Sequence, residues 1–389
     1  MLEVLSDFAA GIVLVSWLAA GWMCWRGWKR LPRLASDGPT GPHPPLSVIV
    51  PARNEAMALP RSIPSLIGQA YPDLEVIVLD DRSTDGTDQV LQSFAGMSPR
   101  LQMIRIEALP EGWLGKTHAL WMGSKRARGD WLLFTDGDVI FHPECLKIAV
   151  AYAETRQVDH LVVIPRVDAE GFWEPILVSC FGLLFGLALR PWQATDPRSS
   201  AFIGIGAFNL IRRSAYQAIG THSALANAVV DDLELGRRVK QAGLRQAAVR
   251  GEEQVRVRWQ VGLSGVVCGL EKNAFAGMGY SPVRAATTIL TLAALGILPF
   301  VAALLGPTRY LWGAAACAVC ALQAAHARRA VLPVWSALLH PLAIAVLIYA
   351  IGRSTFLALR RGSVEWRGTS YPLASLRRRL DSSLASSRH

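Results

Sequence analysis

The chain has 389 residues, 51% of them hydrophobic and 18% charged, with a mean hydropathy of +0.28. That is too apolar for an ordinary soluble enzyme and too mixed for a pure membrane bundle, so one soluble domain plus a few membrane segments is expected. The net charge of +10 sits in two blocks beside apolar runs: Arg26, Lys29, Arg30 and Arg33 near the start, and the Arg-rich stretch from Arg353 onward. Such charge belongs at a membrane surface, and without a basic stripe interleaved with aromatics it excludes a nucleic-acid partner.

In chain order, the run from Phe8 to Trp25 carries no charge and is long enough to cross a bilayer core. Its basic residues follow the apolar region, the reverse of a cleavable signal peptide, so residues 1–30 are expected to be a retained anchor with the N-terminus outside. From Leu46 to about Gln260, β-branched runs alternate with helical patterns. "LSVIVPA", "LEVIVLDD", "LQMIRI" and "DWLLFTD" read as strands; Arg61 to Ala70, "TDQVLQSF" and Lys116 to Arg128 read as helices. The repeated βαβ pattern predicts an α/β domain over 46–260, with a mixed, mainly parallel sheet covered on both faces by helices.

Ligands of such sheets bind beyond the carboxyl ends of the strands. Three polar clusters fall there: Arg53-Asn54-Glu55, Asp80-Asp81 and Asp136-Gly137-Asp138. Side-chain alternation turns Asp136 and Asp138 the same way, with Gly137 admitting a close neighbour between them. Two carboxylates aimed into one cleft repel unless a cation attends them, and magnesium or manganese suits oxygen ligands of this kind. Six cysteines and eight histidines lack zinc-site spacing; the cysteines read as small buried hydrophobes kept reduced in the cytoplasm.

"SVIVPARNEA" (47–56), "LEVIVLDDRSTDGT" (74–87), "GWLGKTHAL" (112–120), "FTDGDV" (134–139) and "VVDDLELGRRVKQAG" (229–243) resemble, in order and spacing, the family-2 inverting glycosyltransferases of GT-A fold. The apolar C-terminal part further resembles the membrane-bound branch associated with hopanoid and carotenoid glycosylation. The resemblance implies that Pro51, Ala52 and Glu55 line the nucleotide base and ribose, with Asp80 and Asp81 accepting hydrogen bonds from them. The favoured donor is a UDP-sugar. Lys116 would meet the diphosphate, Asp138 the metal (Mg2+ or Mn2+), and Asp136 the donor ribose or the same metal. Asp232 would fall on the position of the catalytic base, with Asp231 replacing the usual Glu beside it, although either could instead cap the helix that follows. Gln254 to Trp259, "QVRVRW", is an imperfect version of a later family motif and offers Arg258 and Trp259 for acceptor or diphosphate contact.

Beyond the domain, 261–284 reads as an interfacial segment, 285–352 as a transmembrane region and 353–389 as a basic tail. The spans are placed at Ala285 to Leu305, Tyr310 to Ala325 and Ala330 to Ile351. Three spans would carry the tail outside against the positive-inside tendency, so one is expected to be re-entrant or interfacial. Pro175 to Trp192 holds an uncharged core too short to span comfortably and suits the membrane face or a buried element. These features predict a cell-membrane enzyme with a cytoplasmic catalytic domain and a lipid or polyisoprenoid-type acceptor. Two rivals are a haloacid-dehalogenase-like phosphatase using "DGDVI", and a non-enzymatic membrane scaffold or transporter.

Overall fold

The computed structural model describes all residues except 36–40, 95, 307, 367–368 and 378–389, so the end of the basic tail lies outside the described residues. The chain forms two compact units, one of Arg30–Asp168 with Leu189–Arg258, the other of Met1–Lys29, Ala169–Ala188 and Trp259–His389.

The first unit is built on an eight-stranded sheet: β1 Leu46–Ala52, β2 Leu74–Asp81, β3 Leu101–Ile106, β4 Trp131–Phe134, β5 Ile140–Phe141, β6 His160–Val167, β7 Asn209–Arg212 and β8 Gln246–Val257, in the order β3-β2-β1-β4-β7-β6-β8-β5. β1 to β4 are mutually parallel, β7 is antiparallel to β4 and β6, and β8 is parallel to β6. β1, β2 and β4 are almost wholly buried, which explains their continuous apolar runs: both faces are covered. Val48, Val50, Val76, Val78 and Leu133 face one core, packed with the helices Leu59–Ile67 and Cys145–Thr155. Ile49, Ile77, Leu79, Leu132 and Phe134 face the other, packed with Gly115–Arg126, Arg213–Ala218 and Asp231–Gln241.

The second unit is helical: Leu2–Arg30, Trp173–Leu189, Gly262–Gly277, Pro282–Leu292, Leu298–Leu305, Arg309–Arg329 and His340–Arg361, followed by the hairpin of β9 Ser363–Trp366 and β10 Thr369–Pro372. A π-turn, Ala293–Ile297, joins two of the helices, and Trp17 donates from Nε1 to its Leu295 carbonyl at 3.0 Å. The first helix exposes Val4, Phe8, Val15, Leu18 and Trp22 on its outer side. Five stretches among the described residues are long and apolar enough to cross a membrane: Glu3–Arg30, Trp173–Gln193, Pro282–Leu305, Arg309–Arg329 and Val334–Arg361.

One of the five is barred from a single crossing by connectivity. Trp173–Gln193 lies in the chain between β6 and β7, and Val162 pairs with Asn209 in one sheet, so the segment leaves and returns on the same side. At 21 residues the segment is longer than its uncharged core suggested, so connectivity and not length argues against a single crossing. The last span is displaced from its sequence placement: residues 334–339 form a 3-10 turn, and the helix runs on to Arg361, taking in Arg353 and Arg360. Leu338 is exposed while His340 is fully buried, so the apolar run alone did not mark the helix start. Cys24, Cys145 and Cys180 are buried as expected, whereas Cys268 and Cys317 are exposed on helix faces of the second unit.

The helix Asp231–Gln241 lies hard against the chain before β7. A Cβ at Gly236 would sit 1.9 Å from the Ile203 carbonyl oxygen, and one at Gly204 would sit 1.8 Å from the Asp232 carbonyl oxygen. Backbone on both sides leaves nothing to swing away. Gly236→Ala is therefore expected to cost about 3 kcal/mol or more, read as a drop in melting temperature and in folded yield of the detergent-solubilised protein. A wild-type melting curve would contradict this packing.

Candidate active site

Adjacent residues on a strand face opposite ways, and the end of β2 shows the consequence. Asp80 is turned to one face, where Oδ1 accepts from the Ser83 amide at 3.1 Å and Oδ2 from Arg105 Nη1 at 3.0 Å. Asp81 is turned to the other, against the start of the Gly115–Arg126 helix: a Cβ on Gly115 would lie 2.2 Å from its Oδ2. Arg82 grips Asp81 bidentately, Nε to Oδ1 at 2.7 Å and Nη2 to Oδ2 at 3.1 Å, with its backbone in the left-handed region at φ 57°. Arg53 approaches the same carboxylate at 3.8 Å.

The loops after β1 and β2 are stitched together. The Asn54 amide donates to Ser83 Oγ at 3.0 Å, the Glu55 amide to Thr87 Oγ1 at 2.9 Å and the Ala56 amide to Asp85 Oδ2 at 3.1 Å, while Asn54 Oδ1 accepts from the Thr84 amide at 2.8 Å. Pro51 and buried Ala52 end β1 directly before this corner.

The centre of the site is Lys116. Its Nζ lies 2.7 Å from Asp136 Oδ1 and 3.7 Å from Asp231 Oδ1. Burial works against the ammonium, but Asp136, Asp231 and Asp232 outweigh it and hold Lys116 above the ordinary lysine range. Asp232 lies in the first turn of its helix, its Oδ2 accepting from the Gly206 amide and its Oδ1 from the Leu233 amide, each at 2.8 Å. Burial raises the Asp232 carboxyl, against the pull of Lys116 and the Leu233 amide. A Cβ at Gly206 would come within 2.3 Å of Asp136 Oδ2 and 3.3 Å of Lys116 Nζ, so these side chains would have to shift. Val230, and neither aspartate, holds the N-cap position of the helix.

Asp136 and Asp138 do not end a strand. β4 stops at Phe134, and the two lie in the turn leading to β5. Gly137 is not forced by a close neighbour, since a Cβ there would meet Glu55 Cγ and the Pro51 carbonyl oxygen at an ordinary 3.6 Å; its own carbonyl accepts from Ser62 Oγ at 2.6 Å. Asp138 is pushed up to about 7 by burial, then by Asp136 and Glu55. Glu55 thus acts on Asp138, a neighbour that the strand pattern did not give it.

The structure therefore gathers Lys116, Asp136, Asp138, Asp231, Asp232 and Glu55, with Asp81 on the same face as Lys116. Asp80 is engaged on the opposite face. Arg258 closes the first unit after β8, and Trp259 belongs to the second, stacked on Phe181 with ring centroids 4.5 Å apart. Sequence reasoning passed over Arg82, Gly206 and His222, which lines the cavity beside Lys116. The "DDR" run could have pointed to Arg82; a lone histidine and a glycine far from any motif gave no signal.

Residues 47–220 match the profile described as Glycosyl transferase family 2. This segment is a family 2 glycosyl transferase domain. The chain is 24% identical over 235 residues to a 4,4'-diaponeurosporenoate glycosyltransferase of Staphylococcus haemolyticus, spanning 60% of this chain and 61% of that protein. The protein of the same name from Staphylococcus aureus is 25% identical over 251 residues, 64% of this chain and 65% of its own length. The chain thus spans less than two thirds of these relatives. Among solved structures, the mannosyltransferase PcManGT from Pyrobaculum calidifontis, in complex with GDP-Man and Mn2+, superposes with a TM-score of 0.54 at 21% identity, covering 88% of this chain and 98% of that one. The fold is that of GT-A glycosyltransferases. In this sheet "DGDVI" follows the fourth strand and not the first, so the phosphatase reading is set aside.

The donor set fits a hard divalent cation. No group of three or more His, Cys, Asp or Glu among the described residues forms a protein-only cage, but magnesium-type sites commonly use one or two carboxylates plus substrate phosphates. Asp138, raised by burial and then by Asp136 and Glu55, is a carboxylate whose ionised form a cation would favour.

That strain has a sign that can be measured. A carboxyl titrating at about 7 when folded and 3.8 when free keeps a proton that the unfolded chain has lost, so its ionisation weakens the fold as pH rises from about 4 to 7. Above 7 the loss is complete. At pH 8 with chelator, Asp138→Asn is expected to stabilise the protein by about 1 to 3 kcal/mol, and at pH 4 to change little. Equal melting temperatures for variant and wild type at pH 8 would contradict the assignment.

Proposed function

We propose that residues 46–260 transfer a sugar, with inversion at the anomeric carbon, from a nucleoside-diphosphate sugar to the hydroxyl of a lipid acceptor. Asp232 carries the reading: a carboxylate held by two backbone amides, raised by burial, in one cluster with Lys116 and Asp136. A lipid alcohol is a poor nucleophile until a base begins to remove its proton. A carboxylate with raised pKa is better matched to that task near neutral pH than an ordinary aspartate.

On this reading, Pro51, Ala52 and Asp81 receive the base and ribose, with a uridine donor favoured and Arg82 and Arg53 steadying Asp81. Asp80 supports the same loop from the other face. Asp138 and Asp136 would hold Mg2+ or Mn2+. A bound cation supplies charge neutralisation for the departing diphosphate. Lys116 orients Asp136 and adds positive charge on the donor side. Asp232 takes the acceptor proton as its oxygen attacks the anomeric carbon, and Asp231 keeps Lys116 between the two halves of the site. The C–O bond to the diphosphate breaks on the opposite face. Arg258 and Trp259 are weaker candidates for acceptor or diphosphate contact.

The acceptor class is supported by the long apolar helices, which suit attachment to the cell membrane, and by relatives named for a carotenoid substrate. The basic residues after Trp25 favour a cytoplasmic position for 46–260, where activated sugars are supplied.

Asp232→Asn keeps shape and hydrogen bonding but cannot take a proton. It should lower turnover about 10²- to 10⁴-fold with donor affinity near wild type, while Asp231→Asn does less. Near-normal turnover in Asp232→Asn would remove it as base and favour an acceptor already ionised, such as a carboxylate. In the wild-type protein, manganese should raise the melting temperature in the presence of a nucleoside diphosphate, and Asp138→Asn should abolish that rise. Full activity in excess EDTA would refute the metal assignment.

A further inference from the structure

The cavity bounded by Lys116, Asp136, Asp231 and Asp232 has one more polar wall, His222. Its imidazole is buried at 1% exposure and stands edge-on to Phe134, with centroids 4.6 Å apart. Behind the ring runs a chain of hydrogen bonds whose protons can be assigned one by one.

Ser124 Oγ donates to the Trp121 carbonyl at 2.8 Å; a carbonyl only accepts, so the hydroxyl proton is committed there. Tyr216 Oη donates to Ser124 Oγ at 3.1 Å, which commits the phenol proton. Tyr216 Oη then accepts from the His222 amide at 2.9 Å and pairs with His222 Nδ1 at 2.8 Å. Thr221 also stands beside the phenol, but with the phenol proton placed on Ser124 the imidazole donates in that last bond. This assignment puts the proton on Nδ1 and leaves a lone pair on Nε2, on the far side of the ring.

Other polar groups of the cavity wall are engaged. Thr135 Oγ1 donates to the Ala207 carbonyl at 2.8 Å, Asn209 uses both ends on the Ile205 carbonyl at 2.9 Å and His160 at 3.1 Å, and the Gly206 amide is taken by Asp232. Lys116 has three protons. Asp136 accepts one at 2.7 Å, and Asp231, at 3.7 Å, is too far for a direct bond. The cavity has room for about one water molecule.

We propose that His222 is a positioning residue for Lys116: Nε2, fixed as an acceptor by the Tyr216–Ser124 chain, takes a hydrogen bond from the ammonium through one bridging water. The bond steadies the ammonium between Asp136 and the Asp231–Asp232 pair without adding charge. Burial and the nearby ammonium both hold the imidazole neutral, pulling it down to about 3. The kinetic consequence rests on the glycosyl-transfer reading; the tautomer does not.

The test uses the full chain in detergent. Nitrogen NMR of protein labelled on histidine, with the His222 signals assigned by their loss in His222→Gln, should show the proton on Nδ1, and Tyr216→Phe should move it partly or wholly to Nε2. A wild-type signal with the proton on Nε2 overturns the proposal. In transfer assays, His222→Phe should lower kcat about tenfold with donor KM changed less than about twofold. His222→Gln, whose amide oxygen can still accept, should restore most of the loss. Wild-type kcat in His222→Phe, or equal damage from Gln and Phe, would also overturn it. If wild-type protein transfers no sugar from any nucleotide sugar, the glycosyl-transfer reading fails, and the NMR result still decides His222.

Discussion

Five carboxylates at one edge of a sheet cannot be assembled without compensation, and the ion pair of Lys116 with Asp136 is the constraint on which the rest of the site depends. The lysine is the second residue of the Gly115–Arg126 helix, so its backbone position is set by the packing of that helix on β1 and β2. Asp136 follows a buried four-residue strand. Asp231 begins a helix on the same face. Three elements far apart in sequence thus converge on one ammonium, and a larger residue at Gly206 would crowd the Lys116–Asp136 pair.

The Asp231–Asp232 pair shows a second way to hold negative charge. Both sit in the first turn of a helix, where unpaired backbone amides and the helix dipole favour anions. Asp232 uses that environment through the Leu233 amide and adds the Gly206 amide from the facing segment. Close contact between the two backbones makes this possible, and it explains why glycines occupy 204 and 236.

Legibility in the sequence followed the physics of each signal. The mostly apolar runs of β1, β2 and β4 were readable because strands buried on both faces leave few polar gaps, Ser47 and Glu75 being paired with each other, and "LQMIRI" matched β3 to the residue. β5 has two residues and gives no periodic pattern; it exists because Ile140 and Phe141 pair with Arg256 and Val255 of a strand more than a hundred residues away. The candidate acids were legible as residues after strands, but their facing was not. Asp80 and Asp81 read as one cluster, yet alternation sends them to opposite sides. Lys116 was recognisable by its motif, whereas its carboxylate partners depend on tertiary packing. The same holds for His222, whose meaning comes from Tyr216 and Ser124 behind it.

Asp138 and Asp232 differ in a way that separates their proposed roles. Burial raises both, but the opposing influences are unequal. Burial raises Asp232, and the Lys116 ammonium and the Leu233 and Gly206 amides pull against it. Asp138 meets negative charge from both Asp136 and Glu55, with its own amide and Lys116 pulling the other way, and on the proposed reading a cation would favour its ionised form. On the proposed reading, the first turn of one helix carries the carboxylate that would act as base, and the turn after β4 carries the one that would meet a cation. Environments that push like groups apart are how acid, base and metal-binding duties come to be divided within a single cleft. Here the two differ in Glu55, which raises Asp138, and in the Gly206 amide, from which Asp232 accepts.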